Sequence, residues 1–149
     1  MKRNFYIIAF TLIIQTVAFP QFQWQWQNSK PTSNNLNEIV ALSSTKILAF
    51  GGAGNELIST DAGETWSTQQ GYTYNLYSIC FPDPNTGYAS GDQILQKTID
   101  GGNTWNVISF GTYDYLYSLW FISPDIGFVI GDSDFDTYKI LKTTNGGIN

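Results

Sequence analysis

Apolar and polar residues alternate along the chain in a pattern that recurs about every 40 residues. Three leucines at this spacing each begin an apolar stretch, and three glycines at the same spacing each close the next one. They are Leu36, Leu76 and Leu116, and Gly51, Gly91 and Gly131. Repeats of this length are typical of propellers, solenoids and other repeat arrays. The chain therefore contains three copies of one structural unit.

The second copy shows most clearly how the unit is built. Its predicted strands are Asn75–Pro82, Gly87–Ser90, Gln93–Ile99 and Asn103–Phe110. The residues between them are mainly Asp, Asn, Pro and Gly, which favour turns. Four short strands in one such repeat are typical of a propeller blade. The first strand of each copy is apolar at nearly every position, which predicts that neighbours cover both faces of each blade.

We therefore predict an all-β fold, a partial β-propeller of about three four-stranded blades at residues 35–70, 74–110 and 115–149. Propellers have at least four blades, so we expect the sequence to be a fragment of a larger ring. The alternative is a short chain that closes its ring by oligomerising. Trp26 lies 40 residues before Trp66, which predicts a further strand at residues 23–27. Such a strand would complete a blade begun at the other terminus and remove an unpaired edge.

The turn between the third and fourth strands carries the most specific motif, Ser/Thr-x-Asp-x-Gly-x-Thr-Trp. Its residues are Ser59, Asp61, Gly63, Thr65 and Trp66 in the first copy, Thr98, Asp100, Gly102, Thr104 and Trp105 in the second, and Thr143, Asn145 and Gly147 in a partial third. The Asp carboxylate can accept backbone N–H groups across its own turn, while the Gly supplies a backbone angle that a side chain would penalise. The Ser or Thr hydroxyl can add a bond, and the Trp can pack between blades with its indole N–H directed at a partner. We assign these residues structural roles.

These turns resemble the Asp box, also called the bacterial neuraminidase repeat. With the flanking pattern at Asp83–Asp92 and Ile94–Trp105, they are similar to the photosystem II assembly factor-like family over Leu36–Gly147. The resemblance implies a propeller, seven-bladed in that family, and a role in assembling or stabilising a membrane complex. It bears on the fold more than on the role, because one fold hosts many functions. An arginine cluster for partner binding has no counterpart here, since no Arg follows Arg3.

Residues 1–20 join a short basic start to an apolar run, a pattern typical of a secretory signal peptide. The run is shorter than the roughly 20 residues that a spanning helix needs. We therefore expect a secreted or extracytoplasmic protein, periplasmic or at the cell surface, with no membrane span after cleavage. Beyond this segment five Lys face twelve Asp and Glu. So acidic a chain repels phosphate backbones, which argues against nucleic acid as a partner.

The composition also excludes several kinds of catalysis. The sequence has no His, which removes Ser-His-Asp and Cys-His catalysis and every His-based metal site. A sialidase would need an arginine cluster, which is missing. Glycoside hydrolysis by two carboxylates stays open, with four candidates in turns: Asp83, Asp92, Asp125 and Asp132. Asp is common in turns for conformational reasons, so we predict a protein that is not an enzyme, with no catalytic residue and no cofactor.

The third copy has a longer loop between its second and third strands. Asp132, Asp134 and Asp136 alternate there, as at the start of a calcium-binding loop. Thr137 and Thr143 stand where such a loop has Gly and Glu. The sequence thus offers a weak calcium candidate, and the alternative is a solvated hairpin insertion.

Tyrosines gather in the links between blades, at Tyr72, Tyr74, Tyr113, Tyr115 and Tyr117. They could stack on sugars or pack on a protein partner, or they could fill the interfaces between blades. The leading interpretation is a non-catalytic exported module that binds or scaffolds an unknown protein or glycan. The alternatives are an assembly or stability factor of a membrane complex, by resemblance, and a fragment of a carbohydrate-active hydrolase whose catalytic residues lie in further blades.

Overall fold

A computed structural model of the chain describes Thr32 and residues 34–70, 73–108, 114–133 and 137–148. The predicted signal peptide and the predicted strand at residues 23–27 lie outside these residues. The described part contains eleven β-strands and one short 3-10 turn, Gly52–Gly54. No helix in that part is long and apolar enough to cross a membrane. The predicted all-β class is confirmed.

The strands form three antiparallel sheets, one for each repeat copy, which we call blades 1, 2 and 3. Blade 1 contains β1 (Leu36–Ala41), β2 (Ile47–Gly51), β3 (Asn55–Ser59) and β4 (Ser67–Gln70). Blade 2 contains β5 (Leu76–Cys80), β6 (Gly87–Gly91), β7 (Ile94–Thr98) and β8 (Asn106–Val107). Blade 3 contains β9 (Tyr115–Phe121), β10 (Gly127–Ser133) and β11 (Thr137–Thr143) among the described residues. The strands of each blade pair in chain order, and the predicted partial β-propeller is confirmed.

The fourth strand of blade 2 begins later than the sequence predicts. It starts at Asn106 rather than Asn103, because the N–H groups of Asn103 and Thr104 bind the Asp100 carboxylate at 3.0 and 2.9 Å. Those two donors are therefore not available to the sheet. The Asp100 side chain binds them in place of a neighbouring strand.

The hydrophobic core lies between the blades. One cluster joins blade 1 to blade 2 through the buried side chains of Leu48, Phe50, Ile58, Leu76, Ile79, Ala89 and Ile94. A second cluster joins blade 2 to blade 3 through Cys80, Tyr88, Leu95, Leu116, Leu119, Phe121 and Val129. Each interface removes two apolar sheet faces from water, which stabilises by about 25 cal/mol per Å² of apolar area.

The prediction that every first strand is covered on both faces holds only for blade 2. Four of the five residues of β5 are buried, whereas β1 has only half-buried and exposed residues and β9 has three buried residues among seven. Blade 2 has a neighbour on each side, while blades 1 and 3 each have one neighbour among the described residues. An apolar strand sequence thus indicates that both faces of a blade can be buried. Whether they are buried depends on the neighbouring blades.

Side chains of the first strands of blades 1 and 2 also bind the backbone of the next blade. Glu38 Oε2 accepts the N–H of Ile79, and Ser78 Oγ accepts the N–H of Leu119, each at 3.4 Å. In each bond the donor and the acceptor are 41 residues apart, and the second bond repeats the first 40 residues later along the chain. The repeat therefore sets the register between blades as well as the strands within them.

The two ends of a blade differ in the segments they carry. At one end, which we call the link end, the link into a blade meets the loop that follows its second strand. Gly52 donates its N–H to Asn35 O at 2.8 Å in blade 1, and Asp92 donates to Asn75 O at 2.9 Å in blade 2. The opposite end, which we call the Asp-box end, carries the turn before the fourth strand.

Glycine is required where the second strand meets the link. A Cβ on Gly91 would lie 1.8 Å from Asn75 O, so the backbone itself would have to move. We predict that Gly91→Ala lowers the free energy of unfolding by about 3 kcal/mol, the upper range for overpacking. Denaturant unfolding followed by circular dichroism measures this.

The matched control is Gly52→Ala, one residue beyond the equivalent glycine of blade 1. Its Cβ would lie 3.3 Å from the Asn75 side chain and at an ordinary contact distance of 3.9 Å from Asn35 O, and blade 2 carries Asp92 at the corresponding position. We expect a change below about 1 kcal/mol. Equal losses in the two variants would contradict the close-approach argument.

Candidate functional site

The first Asp box is a closed set of hydrogen bonds around one carboxylate. Asp61 Oδ1 accepts the Ser59 hydroxyl at 2.8 Å and the Thr65 N–H at 2.9 Å, while Oδ2 accepts the Thr65 hydroxyl. The Ser59 hydroxyl oxygen in turn accepts the N–H of Gly63 at 2.8 Å. Gly63 has a φ of 91°, which only glycine adopts without strain. All four residues act on the same turn.

The second box repeats this arrangement. Asp100 Oδ1 accepts the Thr98 hydroxyl at 2.7 Å and the Thr104 N–H at 2.9 Å, and Oδ2 accepts the Thr104 hydroxyl at 2.6 Å. Gly102, with a φ of 83°, donates its N–H to Thr98 Oγ1 at 3.0 Å. The same chemistry thus holds two turns that lie one repeat apart.

The third box keeps the geometry with an amide in place of the carboxylate. Asn145 Oδ1 accepts the Thr143 hydroxyl at 3.0 Å and the Ile148 N–H at 3.2 Å. Gly147 donates its N–H to Thr143 Oγ1 at 2.9 Å. The amide oxygen of Asn145 therefore accepts a hydroxyl and a backbone N–H, as Oδ1 of the aspartate does in the other two boxes.

Hydrogen bonds to the ionised carboxylate lower the pKa of the aspartate in each of the first two boxes. The Thr65 hydroxyl and N–H, helped by the Ser59 hydroxyl, lower the pKa of Asp61 to about 2. The Thr104 hydroxyl and N–H, helped by Thr98, likewise lower the pKa of Asp100 to about 2. Both carboxylates are ionised at any ordinary pH.

The second and third boxes are also bound by the blade that precedes them. Lys46 Nζ of blade 1 donates to Asn103 Oδ1 at 3.1 Å, and Lys97 Nζ of blade 2 donates to Gly146 O at 3.3 Å. Tyr88 of blade 2 donates its hydroxyl to Pro124 O at 2.6 Å in the neighbouring turn of blade 3. The Asp-box end is therefore a seam of contacts between blades.

The Trp of the second box faces blade 1. Its ring meets Phe50 and Phe81 edge-on, with centroids 5.6 and 5.9 Å away, and its indole N–H donates to Glu56 Oε1 at 3.1 Å. Glu56 is only 5 % exposed. Burial raises the pKa of this carboxyl to about 7, against the lowering effects of the Trp105 bond and Lys46. Trp66 of the first box is half-buried.

At the link end, blades 2 and 3 each pair a tyrosine with an aspartate. Tyr77 donates its hydroxyl to Asp92, which also accepts the Asn75 amide at 2.8 Å. Tyr117 donates to Asp132 Oδ2 at 3.0 Å, and the two tyrosine rings lie 6.0 Å apart at a tilt of 33°. The pairs are separated by one repeat of 40 residues.

Both phenols are held in the neutral form. Burial, with the Asp92 hydrogen bond, raises the pKa of Tyr77 to about 12. Burial and the bond to Asp132 also raise the pKa of Tyr117. A phenol with a raised pKa is a hydrogen-bond donor and a poor nucleophile. The arrangement suits binding better than covalent catalysis.

We call Tyr74, Tyr77, Asp92, Tyr117 and Asp132 the tyrosine surface. Tyr74 is 43 % exposed and Tyr117 40 % exposed, whereas Asp132 is buried. The clustering of tyrosines in the links between blades predicts a role for Tyr74 and Tyr117 but does not single out Tyr77. The shared 40-residue spacing of the two Tyr–Asp pairs was the signal that could have found it.

The other linking tyrosines are divided between described and undescribed residues. Tyr115 is half-buried in β9 and pairs in the backbone with Asp132. Tyr72 and Tyr113 lie outside the described residues. Among the described residues, a ring contact supports the predicted grouping of the tyrosines only for Tyr117 and the added Tyr77. Tyr74 is placed with them by its position next to Asn75, whose side chain binds Asp92.

The other two turn aspartates make local contacts, Asp83 through its carboxylate and Asp125 through its backbone carbonyl. Asp83 accepts the N–H groups of Asn85 and Thr86, each at 2.8 Å, and these bonds lower its pKa. Asp125 is exposed, and its carbonyl oxygen accepts the Gly146 N–H of the partial third box at 2.9 Å. These contacts are structural.

The calcium candidate is only partly covered by the described residues. Asp132 accepts Tyr117 with one carboxylate oxygen, and the other is buried with no partner in the described structure. Asp134 and Asp136 lie outside the described residues. Within the described ranges no group of three or more His, Cys, Asp or Glu side chains could hold a metal ion. The calcium loop stays a prediction.

The lowered carboxylate pKa values predict how the Asp boxes respond to acid. Because each pKa falls below its ordinary value near 4 on folding, their contribution is present above pH 4 and is lost as the pH falls toward 2. We predict that the double variant Asp61→Asn with Asp100→Asn has a lower melting temperature at pH 7. It should also lose less of its melting temperature between pH 4 and pH 2 than the parent does.

Differential scanning calorimetry across that pH range measures both effects. The control is Asp125→Asn, which removes an exposed carboxylate of a neighbouring turn and should leave the acid response unchanged. An acid response of the double variant equal to that of the parent would refute the role given to the boxes.

Comparison with known proteins extends the repeat-based resemblance. Residues 8–99 match the family described as photosynthesis system II assembly factor YCF48. No curated protein matched the chain. The family match includes blade 1 and the first three strands of blade 2.

Three solved structures illustrate the likeness in fold. A structure of YCF48 bound to D1 peptide is 20% identical, with a TM-score of 0.69 over 80% of this chain and 39% of that chain. YCF48 from Cyanidioschyzon merolae is 22% identical, with a TM-score of 0.58 over 75% of this chain and 38% of that chain. An ancestral GH74 enzyme is 20% identical, with a TM-score of 0.62 over 78% of this chain and 18% of that chain.

The chain thus spans about two fifths of the length of the two YCF48 structures and about a fifth of the GH74 enzyme. At these identities the structural likeness concerns the fold alone. The sequence match is more specific, because it covers well over half of the chain and includes the first Asp box. The chain belongs to the photosynthesis system II assembly factor YCF48 family.

Proposed function

We propose that this chain is an exported, non-catalytic propeller module that binds an extended segment of another protein at the tyrosine surface. The observation that carries the proposal is the repeated Tyr–Asp pair, which brings two phenol rings within 6.0 Å of each other at one end of neighbouring blades. The basic and apolar start of the sequence supports export, to an extracytoplasmic location.

The chemistry of this surface suits a polypeptide. Tyr offers a large contact area at a small cost in conformational entropy, and its hydroxyl adds a polar contact. Here Asp92 and Asp132 already fix the phenol groups of Tyr77 and Tyr117. A preorganised surface loses less entropy when the partner binds.

The relatives support a protein partner over a glycan. One of the similar structures is titled as YCF48 bound to D1 peptide, and the family is described as an assembly factor. By this analogy the module takes part in assembling or stabilising a membrane complex. Its partner would be a segment of a protein of that complex.

A catalytic role has less support. The raised pKa of Tyr77, about 12, makes its phenolate rare, and the Asp83 carboxylate is occupied by its own turn. The likeness to a GH74 enzyme is one of fold, and fold does not transfer a catalytic residue.

Selection of peptides tests the proposal. Short linear peptides of random sequence, displayed on phage, would be selected on the full chain, and the affinity of the selected peptides measured by calorimetry. We predict that Tyr117→Ala weakens binding about tenfold or more, as expected for an aromatic contact at the centre of an interface. Tyr117→Phe keeps the ring and should lose less.

Two variants control for the location of binding. Glu64→Ala changes an exposed residue at the Asp-box end and should leave the affinity unchanged. Trp120→Ala instead alters the face of blade 3 that no described residue covers. Loss with Trp120→Ala and none with Tyr117→Ala would reject the tyrosine surface. Binding to a glycan array without selection of any peptide would reject a protein partner.

A further inference from the structure

Glu56 occupies a position that the other blades give to an aliphatic side chain. It lies opposite Phe50 in the pairing of β2 with β3. The equivalent position of blade 2 holds Leu95, opposite Ser90, and that of blade 3 holds Ile140, opposite Ile130. Leu95 is part of the cluster between blades 2 and 3. A carboxyl group has therefore been placed where an interface between blades is otherwise apolar.

This carboxyl group is almost fully enclosed. It is 5 % exposed, and its contact across the interface is the indole N–H of Trp105, at 3.1 Å. The indole cannot easily move away, because Phe50 and Phe81 pack edge-on against it. One neutral donor compensates only part of the hydration that an ionised carboxylate loses on burial.

The charged groups that face Glu56 come from both blades and act in opposite directions. Lys46, from the turn between β1 and β2, favours the ionised form, while Asp100, from the second Asp box, opposes it. The Lys46 amino group is also bound to Asn103 Oδ1 at 3.1 Å. Burial is the largest influence, so the neutral form prevails in the folded chain at mildly acidic pH.

We propose that the protonation of Glu56 controls the interface between blades 1 and 2, which is tight when this carboxyl is neutral and loosened when it ionises. This control by Glu56 does not depend on the binding role proposed for the tyrosine surface. It places a pH-sensitive contact in the seam that joins the two blades through Trp105.

The direction of the effect follows from linkage. The folded pKa, about 7, lies above the ordinary value of 4.5. The stabilising contribution is therefore complete below pH 4.5 and is lost as the pH rises through 7. The sequence contains no His, so no other side chain with an ordinary pKa titrates between pH 5 and 8.

The first test is the indole N–H resonance of Trp105 in a proton–nitrogen NMR titration of the full chain. Trp105→Phe identifies the resonance by its disappearance. We expect the resonance to shift with a midpoint near pH 7 in the parent and to stay constant in Glu56→Gln. Gln keeps the shape and the acceptor oxygen and cannot ionise. A resonance in the parent that does not titrate between pH 5 and 8.5 would overturn the proposal.

The second test is the melting temperature between pH 5 and pH 8. A raised pKa of this size predicts a fall of roughly 5–10 °C in the parent over that range. Glu56→Gln should remove most of the fall and melt at a higher temperature than the parent at pH 8. Glu64→Gln, at an exposed glutamate of the same blade, should behave as the parent does. A fall of equal size in Glu56→Gln and the parent would show that Glu56 does not control the interface.

Discussion

Mutual burial of neighbouring sheet faces is the interaction on which the rest of this structure depends. A single unit of about 40 residues is too small to bury an adequate core of its own. The apolar residues are therefore placed on the faces of the sheet, where the next blade covers them. Blade 3 shows what happens on a side without a described neighbour, because Trp120 is 68 % and Ile140 75 % exposed there. On the same face Lys142 lies over the Phe128 ring at 5.8 Å, as Lys97 lies over Tyr88 at the covered interface. The face has the composition of an interface between blades, as expected of a partial propeller.

The Asp boxes make this burial specific. Packing of flat apolar faces alone would allow the blades to slide, because dispersion and hydrophobic contact are not directional. Each box fixes a turn by hydrogen bonds to one side chain, and the fixed turn then offers defined partners to the preceding blade. Lys46 reaches Asn103 and Lys97 reaches Gly146 in this way. The Trp of a box adds bulk to the interface, and its indole N–H adds direction. A motif that acts within one turn thereby sets how two blades meet.

The fold could be predicted from the sequence because its signals recur. The 40-residue spacing, the four short strands and the Asp-box turns each appear more than once and agree with one another. The candidate site could be predicted less well. The sequence predicts a strand that begins at Asn103, because local residue preferences do not reveal that the Asn103 N–H donates to the Asp100 carboxylate. Tyr77 was missed because the tyrosines were grouped by their place in the links. Its pairing with Asp92 joins residues that are 15 positions apart. The burial of Glu56 depends on Trp105, 49 positions away, and only the alignment of Glu56 with Leu95 hints at it.

The positions at which the copies differ are the ones that give this chain its chemistry. A repeat sequence fixes a scaffold, so any residue that departs from the repeat does so in a backbone setting that its siblings define. Blade 1 has Asn37 where blades 2 and 3 have Tyr77 and Tyr117, and its side chain binds Leu76 O at 2.7 Å instead of an aspartate. Among the three described blades, the Tyr–Asp pairs therefore occur in blades 2 and 3 and not in blade 1. Glu56 departs from its siblings in the opposite sense, because it introduces an ionisable group where they are apolar. Both departures exploit the same property of the fold: the interfaces tolerate a changed side chain as long as the neighbouring blade offers it a partner.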